Sequence, residues 1–155
     1  MDNFFIFSAK YLFLLPIAIL GIYFLTLPWP QKKKAVVFAV PTLILAYLLA
    51  QLGGYLYFDP RPFIVGHFTP LLPHIPDNGF PSDHALLVSA VAVIATYLNR
   101  KLAIVLWAIA LLIGVARVYV GLHHPIDVAG SFAISILSGL VAYGVLEYLS
   151  YEKIS

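Results

Sequence analysis

The sequence predicts an all-α protein, a polytopic membrane bundle of about five to six transmembrane helices, from three observations. Of its 155 residues, 62% are hydrophobic and 10% charged, with a mean hydropathy of +0.95. Soluble domains run about 45–50% apolar and about 25% charged. Five stretches approach the roughly 20 residues needed to cross a hydrocarbon core of about 30 Å. Aromatic residues make up 15% of the chain, and many Tyr and Phe stand near segment ends, as suits membrane interfaces. The length leaves no room for a separate soluble domain, so residues 1–155 read as a single membrane-embedded domain. There is no cysteine, which excludes disulfides, a thiol nucleophile and thiolate metal sites. The net charge of +2 gives no reason to expect a nucleic-acid partner.

The first span is Phe4–Leu27. Met1-Asp2-Asn3 has no basic n-region, and the apolar run is too long for the core of a signal peptide. The second is Ala35–Phe58. Pro16 and Pro41 fall inside these two and predict kinks, since membrane helices tolerate proline. The third, His84–Leu98, is short, with its start at Ser82 or Asp83. The fourth is Leu102–Val120 and the fifth Ile126–Leu149. Two connectors, "QKKK" (Gln31–Lys34) and "NRK" (Asn99–Lys101), are short and basic and belong in the cytoplasm by the positive-inside rule. The N-terminus, the loop Asp59–Pro81 and the turn Gly121–Pro125 then face outward, and the C-terminal "YEKIS" faces inward.

The polar residues follow that asymmetry. All five histidines, His67, His74, His84, His123 and His124, lie in outer connectors or at outer span ends. So do Asp59, Arg61, Asp77, Asp83, Arg117 and Asp127. Ionisable groups at membrane depth are costly and mark functional sites by default. Ser82 in "PSDH" (Pro81–His84) is an N-cap candidate. In "ARVYVGLHHPID" (Ala116–Asp127), Pro125 suits a first helical turn, where Asp127 meets the positive end of the dipole. His123 and Asp127 are four residues apart and can meet across that turn. Singly, these groups read as helix starts, an interfacial anchor at Arg61 and a snorkelling Arg117. Together, two helix N-termini, two arginines, a hydroxyl and two histidines suit a phosphate. A carboxylate beside a histidine can hold the ring with one nitrogen free to attack, and a second histidine can protonate the departing oxygen.

These residues resemble the type 2 phosphatidic acid phosphatase superfamily of membrane lipid phosphatases. Its signature is lysine, six residues, Arg-Pro; then Pro-Ser-Gly-His; then Ser-Arg, five residues, His, three residues, Asp. The matches are Arg61-Pro62, Pro81-Ser82-Asp83-His84, and Arg117, His123 and Asp127. The resemblance covers roughly residues 55 to 140. It implies that His123 is the nucleophile, Asp127 orients it and His84 is the general acid. Arg61, Arg117 and Ser82 would bind the phosphoryl oxygens. Three positions depart from the signature: Gly54 for the lysine, Asp83 for glycine and Ala116 for serine. The first two, with "YFDPRPF…LLPHIPDNGFPSDH", resemble the bacterial undecaprenyl-diphosphatase branch associated with bacitracin resistance. That branch implies a polyprenyl diphosphate substrate at the outer face of the cytoplasmic membrane. Asp83 is expected to pair with a neighbouring cation or to contact the terminal phosphate. Lys10, the odd residue of the first span, either snorkels or reaches the pocket in place of the missing lysine. No metal or other cofactor is expected, because no three-ligand set has metal spacing in the sequence. The alternatives are a phosphatidylglycerophosphate or other lipid monophosphate phosphatase, a haem-binding electron carrier and an anion transporter. The last two lack, respectively, histidines facing each other across spans and polar residues at mid-bilayer.

Overall fold

The computed structural model describes residues 1–152, with side chains through residue 149. Lys153–Ser155, the end of the run expected to face inward, lie outside the described residues. The chain is helical throughout: α1 (Asp2–Lys10), α2 (Leu14–Thr26), α3 (Trp29–Leu56), the single turn α4 (Pro62–Val65), α5 (Asp83–Leu98), α6 (Arg100–Tyr119) and α7 (Pro125–Glu152). By length and composition α3, α6 and α7 can each cross a membrane, and the bent pair α1–α2 can supply a fourth span. α5 is equally apolar, but its 16 residues rise only about 24 Å. These five segments coincide with the five read from the sequence.

Pro16 explains the break in the first. Its ring crowds the carbonyl of Leu12 and it has no N–H to donate there. The chain answers with short-range bonds, Leu14 N to Tyr11 O at 3.2 Å and Leu15 N to Leu12 O at 3.0 Å. α2 leaves α1 at 49°. α3 instead runs through Pro41 as one helix. The basic connectors prove to be helical. Gln31–Lys34 form early turns of α3, which opens on Pro30, and Asn99 caps α6 by accepting from Lys101 N and Leu102 N. Twenty-eight residues span about 42 Å, so α3 holds its basic end beyond the hydrocarbon without a separate loop.

α5 is the hub, packing against α2, α3, α6 and α7. Its contacts are made largely by small side chains, among them Ala85, Ser89, Ala90, Ala92 and Ala95, all buried. Small residues let helix backbones approach closely, the main source of association where lipid is as apolar as leucine. α7 adds buried serines at Ser131, Ser135 and Ser138. Ser89 Oγ donates to Ser135 Oγ at 2.7 Å and Ser135 Oγ to Leu86 O at 3.1 Å. The Ser131 hydroxyl lies between Asp127 O at 2.7 Å and Ser82 O at 3.0 Å. One hydroxyl thus ties the N-terminal end of α7 to that of α5. Gly130 admits the Phe80 ring against α7: a Cβ there would lie 2.2 Å from the ring edge.

The Asn99 cap is testable by thermal unfolding in detergent. Asn99→Ala removes the acceptor of two backbone N–H groups and should cost about 1 kcal/mol. Asn99→Asp should keep most of it, and equal losses in the two variants would contradict the capping role.

Candidate functional site

The C-terminal ends of α1 and α6 and the N-terminal ends of α5 and α7 meet beneath the loop 59–81, with His123 at the centre. It follows the left-handed Gly121 (φ +81°), a backbone turn that glycine adopts without strain. Its ring is buried. On one side Nδ1 faces Gly79 O at 2.9 Å and Asp127 Oδ2 at 3.3 Å. Both partners are acceptors, so Nδ1 carries the proton. On the other side Nε2 accepts from Arg61 Nη1 at 3.1 Å and Arg117 Nη2 at 3.2 Å. The unprotonated nitrogen therefore faces two guanidinium groups.

Each partner is held in turn. Arg61 stands just before α4, where Pro62 starts the turn. Its Nε donates to Asp77 Oδ1 at 2.8 Å and its Nη1 to Leu122 O at 3.0 Å. Arg117, in the last turn of α6, reaches Ala9 O of α1 at 3.4 Å. Asp127 is fully buried in the first turn of α7, and its Oδ2 also accepts from His124 N at 2.9 Å. Gly79 is fixed by donation of its N–H to Asp59 O at 2.8 Å. Asn78 staples the same loop, its Oδ1 accepting from Asp59 N and Phe80 N and its Nδ2 donating to Gly54 O and Tyr57 O.

Ser82 occupies the N-cap position of α5 as expected, but its side chain makes no cap bond. Its Oγ is buried without a partner, as is Nε of Arg117. A buried polar group left unmatched costs about 1–3 kcal/mol, and an oxyanion in reach of a hydroxyl and a guanidinium N–H would remove that cost. His84, in the first turn of α5, packs edge-on against Phe13 with centroids 4.9 Å apart. It lines a cavity of about 360 Å³ with Lys10, Leu72, Pro73, His74, Arg117 and Leu122. Lys10 thus reaches the cavity mouth at the end of α1. Asp83 is exposed and forms no ion pair among the described residues. It acts on Arg117 through space alone. At Gly54, a Cβ would stand 3.1 Å from Phe80 O, so a lysine there would press on the loop that Asn78 holds.

The fold also brings together groups that had no assigned role. Asp59 Oδ2 lies 2.9 Å from His124 Nδ1. One ligand atom from each of Asp59, His124 and Asp127 falls within 4.8 Å of the others, a three-member set of possible metal ligands that sequence spacing did not reveal. Two of these atoms already bond each other directly. Asp59 and Asp77 lie on a loop whose path no periodicity reports, though Asp59 does adjoin the Pro-Arg-Pro run.

Burial pushes the His123 imidazole below its ordinary pKa, and the charges of Arg117 and Arg61 push the same way. The bond to Asp127 opposes them without prevailing. The neutral ring therefore persists to lower pH than a solvent-exposed histidine allows. Arg61→Met removes one opposing cation and should move the His123 titration upward, toward the ordinary imidazole value. Histidine NMR of the detergent-solubilised protein reads this directly, and a downward move would contradict the assignment.

A buried imidazole gripped by two guanidinium groups, beside two helix N-termini, defines an anion site in a multi-pass all-α membrane protein. The chain belongs to the PAP2 superfamily, whose profile matches residues 35–151. It is 36% identical over 113 residues to undecaprenyl-diphosphatase BcrC of Bacillus subtilis, covering 73% of this chain and 58% of that protein. This chain therefore spans under two thirds of that relative's length. The crystal structure of Aquifex aeolicus LpxE superposes with a TM-score of 0.75 at 25% identity, over 92% of this chain and 85% of that one. The PAP2-type phosphatidylglycerolphosphate phosphatase of Bacillus subtilis gives a TM-score of 0.60 at 28% identity, over 94% and 74%.

Proposed function

We propose that this protein is a membrane lipid phosphatase that converts undecaprenyl diphosphate to undecaprenyl phosphate and phosphate through a phosphohistidine. The observation that carries the chemistry is the unprotonated Nε2 of His123 set between Arg61 and Arg117. Its lone pair attacks the terminal phosphorus as the bridging P–O bond breaks. The two guanidiniums and Ser82 take the equatorial oxygens, where charge develops. Asp127 and Gly79 O hold Nδ1–H and stabilise the ring as it becomes cationic. His84, protonated once the anionic substrate offsets the arginine charges, supplies that proton to the leaving oxygen, then as the neutral ring takes one from the water that cleaves the P–N bond. Phosphate leaves and His123 returns to its neutral form.

The diphosphate assignment draws on the relatives named undecaprenyl-diphosphatase and on the cavity. Beyond Arg117 and His84, the cavity presents Lys10 and His74, cationic or ionisable groups available to a second phosphate. Lys10 in this role stands in for the lysine absent at Gly54. Asp83, exposed in the first turn of α5, would meet the terminal phosphate in its monoanionic form. The second reading, a lipid monophosphate phosphatase, draws on the likeness to the phosphatidylglycerolphosphate phosphatase. The reading places the site on the outer face of the cytoplasmic membrane, opposite Lys32–Lys34 and Arg100–Lys101.

Purified protein in detergent with chelator should release phosphate from undecaprenyl diphosphate faster than from phosphatidate. His123→Ala should abolish release while the protein still inserts. His84→Ala should cost less on the diphosphate, whose leaving group is a phosphate ester ionising at about pH 6, than on a monoester leaving as an alkoxide. Lys10→Met should raise KM for the diphosphate more than for the monoester. Equal effects on both substrates, or a faster rate on phosphatidate, would favour the second reading. Near-normal turnover in His123→Ala would remove the mechanism. For orientation, His67→Cys should react with an impermeant thiol reagent in intact cells and Lys33→Cys only after lysis. The reverse pattern would place the site inside.

A further inference from the structure

The atoms behind the nucleophile form a closed ring of hydrogen bonds. His123 Nδ1–H is shared by Gly79 O at 2.9 Å and Asp127 Oδ2 at 3.3 Å. Gly79 N donates to Asp59 O at 2.8 Å. Asp59 Oδ2 accepts from His124 Nδ1 at 2.9 Å, and His124 N donates to Asp127 Oδ2 at 2.9 Å. The two acceptors of the Nδ1 proton thus sit on separate pieces of chain, the 59–81 loop and the first turn of α7. Their alignment depends on what fastens those pieces together.

Charge makes the fastening necessary. A ligand oxygen of Asp59 lies within 4.8 Å of one of Asp127, and two adjacent carboxylates repel unless donors hold them. His124 provides two donors, its ring N–H to Asp59 and its backbone N–H to Asp127. The contact is largely shielded, with Asp59's side chain 13% exposed, so water competes weakly for it.

We propose that Asp59 and His124 are positioning residues: a clasp that keeps Gly79 O and Asp127 on the Nδ1 proton of His123, and so keeps Nε2 unprotonated and aimed at phosphorus. Neither touches the phosphoryl group. This rests on the phosphohistidine reading for its rate effect but not for its effect on the ring. Without the ring N–H of His124, Asp59 is released from its partner and the two acceptors lose their common frame. The arginine face has further anchors of its own in Asp77, Leu122 O and Ala9 O, so substrate binding is largely spared.

The test uses full-length protein in detergent with ¹⁵N-labelled histidine, comparing wild type with Asp59→Asn, His124→Phe and His124→Asn. The His123 ring nitrogens are followed by long-range ¹H–¹⁵N correlation, and kcat and KM are measured on the preferred substrate. Wild type should show a single Nδ1–H tautomer. His124→Phe and Asp59→Asn should show mixed tautomers, with kcat lower by about 10–100-fold, the range seen when a second-layer partner of a metal-bound histidine is lost. KM should stay within about twofold. His124→Asn, whose amide can place an N–H near the position of Nδ1, should recover most of the rate. An unchanged tautomer in both His124→Phe and Asp59→Asn, or a KM that rises as kcat falls, would overturn the clasp. So would a divalent cation retained stoichiometrically in wild type and lost in His124→Phe, because Asp59 and His124 would then be ligands rather than each other's partners. If wild type releases no phosphate from any lipid, the proposed reaction fails, while the tautomer measurement still decides the clasp.

Discussion

Two guanidinium groups converge on one neutral imidazole nitrogen, and much of the surrounding structure makes that tolerable. Unit charges about 4 Å apart repel by about 4 kcal/mol at an effective dielectric of 20, and here both cations are buried. Arg61 is therefore matched by Asp77 and a carbonyl, and Arg117 by a carbonyl of α1. Burial holds the His123 ring neutral, and the two neighbouring cations, to which protonation would add a third, push the same way. An arriving phosphoryl group meets donors already gathered, with little reorganisation left to do during the reaction.

That arrangement requires helix ends fixed to within a fraction of an ångström in a medium that supplies no hydrophobic drive between helices. Small residues on α5 and serine hydroxyls on α7 provide the register. Ser131 spans the two helix termini that face the site, so His84 and Asp127, in the first turns of α5 and α7, share one reference point. The break before Pro16 serves the same end, because it turns α2 away and leaves the last turn of α1 to present Ala9 O and Lys10 to the cavity.

Much of this was legible in the chain. Apolar run length located five segments, and the four-residue step from His123 to Asp127 became a direct contact because Pro125 starts a helix between them. Arg61, Arg117, Ser82 and His84 stood out as candidates because helix termini and arginine forks are the ordinary instruments of phosphate binding, and the fold does set both arginines against His123. Asp59, Asp77, Asn78 and Gly79 were not assigned roles. Their work is done from a loop whose course depends on tertiary contacts, and Gly79 acts through a carbonyl that every residue possesses. His124 resembled a neighbour of the nucleophile, and nothing in the sequence joins it to Asp59. The basic connectors lie within or at the starts of helices, because charge signals topology without saying whether a helix continues through it.

The ion pair of Arg61 with Asp77 closes the neck of the excursion between them. Residues 62–76 form a compact loop with its ends pinned, an Ω-type lobe, and its far side contributes Leu72, Pro73 and His74 to the cavity wall. Everything that breaks and forms bonds is anchored below the neck. Lengthening such a lobe is cheap, about 0.6 kcal/mol for each doubling of a flexible loop. Insertion or substitution in the lobe can therefore reshape that stretch of the cavity wall while His123, Arg117 and Asp127, held from α6 and α7, keep their places.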